Sequence, residues 1–142
     1  MILSITLVTT VLLSGCQPPQ PASLSNDQVV SVVDNILTGI NTRDYPAFSQ
    51  DFSPNLAAAI PETQFTGLAL MLRKANGNYI SCADAQPELS NSQGYAVYRI
   101  NCKFEVESVI VTVTFKTGAA QVEGLYFDSA NLRKLGQSTP TP

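Results

Sequence analysis

The side chains able to do chemistry are few. The chain carries three cysteines, Cys16, Cys82 and Cys102, and neither histidine nor tryptophan. Without histidine, proton transfer near neutral pH falls to Asp, Glu, Tyr or Lys, and the commonest metal ligand is missing as well. Three cysteines with no Cys-x-x-Cys pair do not make a metal cluster. Asp34, Asp44 and Asp51 are acids of the first helical stretches. A carboxylate serves as a base at neutral pH only where burial raises its pKa. The apolar stripes that would bury one hold Val, Ile, Leu and Phe. Asp34 stands at the edge of a stripe, and Asp44 is placed to cap a helix. Arg99 and Lys103 lie beside Asn101 and Glu105 on a polar strand face, which reads as solvated with cross-strand ion pairs before it reads as an anion site. Tyr95, Tyr98, Tyr126 and Phe127 read as core aromatics before they read as a pocket mouth. Asp34, Tyr98 and Tyr126 are the candidate pocket residues. No residue is assigned to catalysis or to a metal, and no cofactor is expected.

These residues must be positioned by a sheet that the stretch Gly94 to Phe127 supplies. From Tyr95 to Glu105 the apolar positions Ala96, Tyr98, Ile100, Cys102 and Phe104 alternate with Arg99, Asn101, Lys103 and Glu105. Val109, Val111, Val113 and Phe115 repeat the pattern, with Thr112, Thr114 and Lys116 opposite. Side chains on a strand alternate faces, so this is an antiparallel sheet covered on one side. Helices upstream must be the cover. Ser25-Asn26-Asp27 offers a helix start, and Val29, Val33, Ile36, Leu37 and Ile40 follow at helical spacing to about Asn41 or Thr42. Asp44-Tyr45-Pro46 opens a short second helix with Tyr45, Phe48 and Phe52 inward. Pro54 and Asn55 interrupt, and Leu56 to Ile60 is a short further turn. Pro61-Glu62 starts a longer helix with Phe65, Leu68, Ala69 and Leu72 buried, ended by Asn76-Gly77. Asn78 to Cys82 is the first strand, and Asp84 to Gln93 reads as a loop. The fold class is α+β: N-terminal helices packed on an antiparallel sheet of about four strands.

The chain has 142 residues, 13% of them charged, and a formal net charge of −3. This is one domain, and its charge argues against a nucleic-acid partner. Ile2 to Leu13 is apolar apart from Ser4, Thr6, Thr9 and Thr10, too short to span a bilayer and suited to the core of a signal peptide. Leu13-Ser14-Gly15-Cys16 follows and resembles the lipobox of bacterial lipoproteins. No Lys or Arg precedes the apolar run, a departure from the usual signal. The resemblance implies removal of 1–15, a diacylglycerol on the Cys16 sulfur and a palmitate-type acylated N-terminus. It also implies a bacterial envelope location, anchored to a membrane and facing the periplasm or exterior. Gln17 after Cys16 is compatible with an outer membrane where the organism has two. Residues 16–25, with Pro18, Pro19 and Pro21, read as the lipidated cysteine and a stiff tether. Residues 26–129 form the domain, and 130–142 read as a polar, disordered tail.

With Cys16 taken by lipid, Cys82 and Cys102 remain, on the apolar faces of neighbouring strands. An export compartment permits a bond between them, and a loop of about 20 residues closed this way is worth on the order of 3 kcal/mol. Two buried free thiols are the other reading. Asn41-Thr42-Arg43-Asp44-Tyr45 after an apolar helix, then Phe52, Phe65 to Leu72, Gly77-x-Tyr79 and Gly124-Leu125-Tyr126-Phe127, together resemble the nuclear transport factor 2-like, or SnoaL-like, superfamily, and within it a bacterial family of unknown function. That likeness implies a cone, a curved sheet wrapped round a long helix, with a small-molecule pocket in some members and an Asp or His base in its enzymes. The expected function is a non-catalytic domain that binds a small apolar ligand or another envelope protein. A SnoaL-like lyase or isomerase using an in-cone acid is the alternative, and a structural adaptor in an envelope assembly is the third.

Overall fold

The computed structural model describes residues 24–88 and 94–137. The signal segment, Cys16, most of the tether and the last residues of the tail lie outside them. Helix α1 (Asn26–Thr42) is opened by a reciprocal cap. Ser25 Oγ accepts from the Gln28 N–H, and the Ser25 N–H donates to the Gln28 side chain. Its stripe Val29, Val33, Ile36, Leu37 and Ile40 is completely buried. Each such side chain contributes up to about 1.5–3 kcal/mol by leaving water. The helix ends where Arg43 takes a left-handed conformation, φ 57°, and the Asp44 N–H bonds Gly39 O at 2.9 Å. Asp44 then caps α2 (Tyr45–Ser49) by accepting from the Ala47 N–H.

Helix α3 (Pro54–Ala59) begins two residues earlier than its apolar pattern suggests. Ser53 Oγ accepts from the Leu56 N–H, so Pro54 and Asn55 form the first turn instead of interrupting a helix. Helix α4 (Glu62–Asn76) buries Phe65, Ala69 and Leu72 and stops at Gly77, φ 78°. Tyr45, Phe48, Phe52 and Phe65 form one aromatic cluster, with ring centroids 4.7–5.6 Å apart in its closer pairs.

The sheet has five strands: β1 (Tyr79–Cys82), β2 (Gln86–Glu88), β3 (Tyr95–Phe104), β4 (Ser108–Lys116) and β5 (Val122–Asp128). The order is β1-β3-β4-β5, all antiparallel, with β2 following β1 along the same edge of β3. The sheet is open, with β5 at the far edge. The fifth strand, β2, lies inside the stretch that composition marks as a loop. Gln86-Pro87-Glu88 has no apolar alternation because all three residues are exposed at an edge, where proline is tolerated. In register, Tyr98, Val113 and Leu125 align across the sheet, as do Ile100, Val111 and Phe127; these face the helices. Arg99, Thr112 and Tyr126 align on the other face. Irregularities between Tyr79 and Ser81 and between Thr114 and Phe115 bend the two edges.

A correction concerns the end of the domain. Residues 130–137 are not tail: they form helix α5 (Ala130–Gln137), packed back through Leu132. Its start is capped by buried Ser129, whose hydroxyl accepts from the Leu132 N–H and donates to Asn76 Oδ1 at 2.8 Å. Asn131 donates to Ala75 O and, through its N–H, to Glu107. Two leucines in a polar stretch were too few to reveal this helix, which is fixed by polar contacts made far away in sequence.

Gly39 is required where α1 meets α2. A Cβ there would lie 2.5 Å from Phe48 N and 2.7 Å from its Cα, backbone that cannot yield without moving α2. Gly39→Ala should therefore lose about 1–3 kcal/mol in urea unfolding. Gly67→Ala on α4, with nothing within 4 Å of the added carbon, should be neutral or gain about 0.5–1 kcal/mol.

Candidate functional site

The sequence candidates do not converge. Asp34 is exposed on α1, and its Oδ1 accepts from the Tyr79 hydroxyl at 2.6 Å. Tyr98 is buried on the inner sheet face, edge-on to Phe115, and its hydroxyl donates to Leu24 O. Tyr126 is 63% exposed on the opposite face, so the sheet itself separates it from Tyr98. Asp44 is a helix cap and Asp51 accepts from the Asn35 side chain at 3.2 Å. Arg99 and Lys103 are exposed on the outer face. Among the described residues no group of three or more Cys, Asp or Glu side chains is arranged to hold a metal ion.

Cys82 and Cys102 are directly opposed in the β1–β3 ladder and joined by a disulfide, with Cα atoms 4.0 Å apart. Cys102 is completely buried and Cys82 half-buried. The bond pins the short edge strand to the longest strand. Beside it Asn41 does the same from α1. Its amide donates to Tyr79 O and accepts from the Tyr79 N–H, both at 2.9 Å, taking the place of a neighbouring strand. Glu105 holds the start of the same strand by accepting from the Asn78 N–H at 2.8 Å. The Asn78 backbone and side-chain bonds hold the Glu105 carboxyl below its ordinary range.

A concave feature with a ligand-sized volume and a mostly apolar lining lies elsewhere. A groove of about 520 Å³ runs between α4, β5 and α5. Leu68 and Met71 of α4 form one wall, Leu125 and Phe127 of β5 the floor, and Leu132 and Leu135 of α5 the other wall. Ile60 closes one side, and Asp128 and Arg133 are the charged side chains in the lining. The two are paired, Arg133 Nη1 donating to both Asp128 oxygens at 2.6 and 2.7 Å. Met71, 43% exposed, and Tyr126 leave apolar surface open at the groove. Of the sequence candidates Tyr126 and Phe127 line it, and Asp34 and Tyr98 do not. Met71 lies on the less buried side of α4, and Leu132 with Leu135 lie in a stretch whose composition reads as tail, so no one segment signals the groove.

Tyr79 titrates abnormally. Burial first, then the bond to Asp34 and that carboxylate's charge, push its phenol well above the ordinary tyrosine value. A raised folded pKa gives stability that is complete below the unfolded value and is lost progressively as pH climbs from there through the folded value. Tyr79→Phe should cost about 1 kcal/mol at neutral pH. The gap between wild type and variant should narrow between about pH 10 and about pH 11, as the unfolded phenol ionises. Urea unfolding of both proteins across that range checks this. Separately, the paired variant Cys82→Ala/Cys102→Ala should lose about 3 kcal/mol, and the unfolded, unreduced wild type should show no titratable thiol from either residue.

No curated protein and no solved structure matches this chain. Residues 33–125 match the family described as "Protein of unknown function (DUF3887)". That span runs from the middle of α1 into β5 and takes in most of the helices and the sheet. It exceeds half the sequence, and the chain belongs to that family.

Proposed function

We propose that this protein is a membrane-anchored lipoprotein of the bacterial envelope whose domain binds a small apolar ligand without transforming it. The observation that carries the reading is the groove between α4, β5 and α5: ligand-sized, walled by Leu68, Met71, Leu125, Phe127, Leu132 and Leu135, with its charges neutralised in a pair. Apolar clefts with few oriented polar groups are the common form of small-molecule sites. The anchor is inferred from Leu13-Ser14-Gly15-Cys16, outside the described residues. No helix among the described residues is long and apolar enough to cross a membrane. On this reading anchorage rests on lipid at Cys16, and stable retention takes two or three chains. The α+β order of elements agrees with a SnoaL-like relationship, which we propose as the wider kinship of the family. On that reading residues 1–15 are the signal, 16–25 the lipidated cysteine and tether, and the domain extends through α5.

An enzyme using Asp34 is the second reading, favoured by the short bond that orients this carboxylate against Tyr79. Asp34 is exposed and does not line the groove, so substrate bound there would not meet it. A folded Asp34→Asn protein should bind groove ligands as wild type does.

The fluorescent apolar probe N-phenyl-1-naphthylamine should bind saturably, and Leu68→Glu or Leu132→Glu should weaken it by about tenfold or more by placing a charge in the apolar wall. Unsaturable or unchanged binding would remove the ligand site. Mass spectrometry of the mature N-terminus should find acylated Cys16, and Cys16→Ser should release the protein from membranes. An unmodified N-terminus at another residue would contradict the anchor.

A further inference from the structure

Resting on the reading of the groove as a ligand site, we infer that its ligand is a single-chain amphiphile with a zwitterionic headgroup, of the lysophospholipid class. The apolar part follows from the walls. Leucine, methionine and phenylalanine side chains from three separate elements offer contact to a hydrocarbon chain and no bond to a polar one. A volume of about 520 Å³ suits one drug-sized molecule and is small for a two-chain lipid.

The headgroup follows from the rim. Asp128 and Arg133 line the same groove at the junction of β5 and α5, and together they carry no net charge. A lone anion reaching Arg133 also meets the Asp128 carboxylate, and a lone cation reaching Asp128 meets the guanidinium, so attraction and repulsion largely cancel. A headgroup with both signs matches both partners. The geometry leaves each of them usable. The pair is made through Nη1 alone, so Nε and Nη2 lie outside it and can donate to a phosphate. Arg133 is 59% exposed and Asp128 25% exposed, so both can be reached from solvent. A phosphodiester on the guanidinium, with its ammonium turned toward the carboxylate, would leave the hydrocarbon chain to run along Phe127 and Leu132 into the groove.

The test is displacement of N-phenyl-1-naphthylamine from the full chain by amphiphiles of equal chain length, each below its micelle concentration. Dodecylphosphocholine should compete about fivefold better than dodecyl sulfate or dodecyltrimethylammonium, a ratio in keeping with an exposed charge pair. Asp128→Asn should move the preference toward dodecyl sulfate, and Arg133→Gln toward dodecyltrimethylammonium. The double variant should lose the preference yet keep the dye, which also shows that it has folded. Equal competition by all three amphiphiles, or a wild-type preference for the sulfate, would overturn the headgroup assignment and leave the apolar site standing. Failure of the wild type to bind the dye would remove the site and the inference together.

Discussion

The apolar stripe of α1 and the inner face of β3 and β4 are buried in one cluster, and the rest of the domain is arranged to keep that contact dry. Val29, Val33, Ile36, Leu37 and Ile40 from the helix, and Ile100, Cys102, Val109, Val111 and Val113 from the strands, are fully inaccessible. A one-sided sheet cannot stand alone in water, because its inner side chains would be solvated with no compensating contact. Helices α1 to α4 precede the strands in the chain and supply that cover. Gly39 admits the backbone of Phe48, and the aromatic cluster of α2 and α4 extends the cover beyond α1.

Around this core the edges are fixed by polar groups and one covalent bond. Asn41 imitates a strand against Tyr79, Cys82 is tied to Cys102, and Asn76 with Ser129 and Asn131 joins the end of α4 to the start of α5. Asn76 is completely buried, so its amide must be satisfied internally, and it is: it donates to Leu72 O and accepts from Ser129. These clamps hold α5 at its beginning, while its leucines face α4 and β5 across the groove. The groove is thus a gap between the sheet with its covering helices and a short helix docked on it.

What the sequence disclosed was whatever repeats with a period. The alternation from Tyr95 to Phe115 gave the two central strands and the face each residue takes, and the spacing from Val29 to Ile40 gave the covering helix. The cross-strand cysteines and the Asp44 cap were equally legible, because each is a local or paired signal. Three things were not. The strand at Gln86–Glu88 is held by backbone pairing to β3 and carries no apolar pattern. Helix α5 depends on Ser129, Asn131 and their distant partners. The candidate pocket of Asp34, Tyr98 and Tyr126 drew together residues that the fold puts on a helix surface, in the core and on the outer sheet face. Chemistry-bearing type alone could not place them, and the groove between α4, β5 and α5 exists only after the chain has closed.

The most direct measurement is a methyl chemical-shift map of the labelled protein during titration with N-phenyl-1-naphthylamine. Ligand in the groove should shift the methyl groups of Leu68, Met71, Leu125, Leu132 and Leu135 together and saturably, and leave those of Val97 and Ile110 on the outer sheet face unchanged. Shifts concentrated on the outer face, or scattered weakly without saturation, would contradict the claim that this groove is where the protein binds.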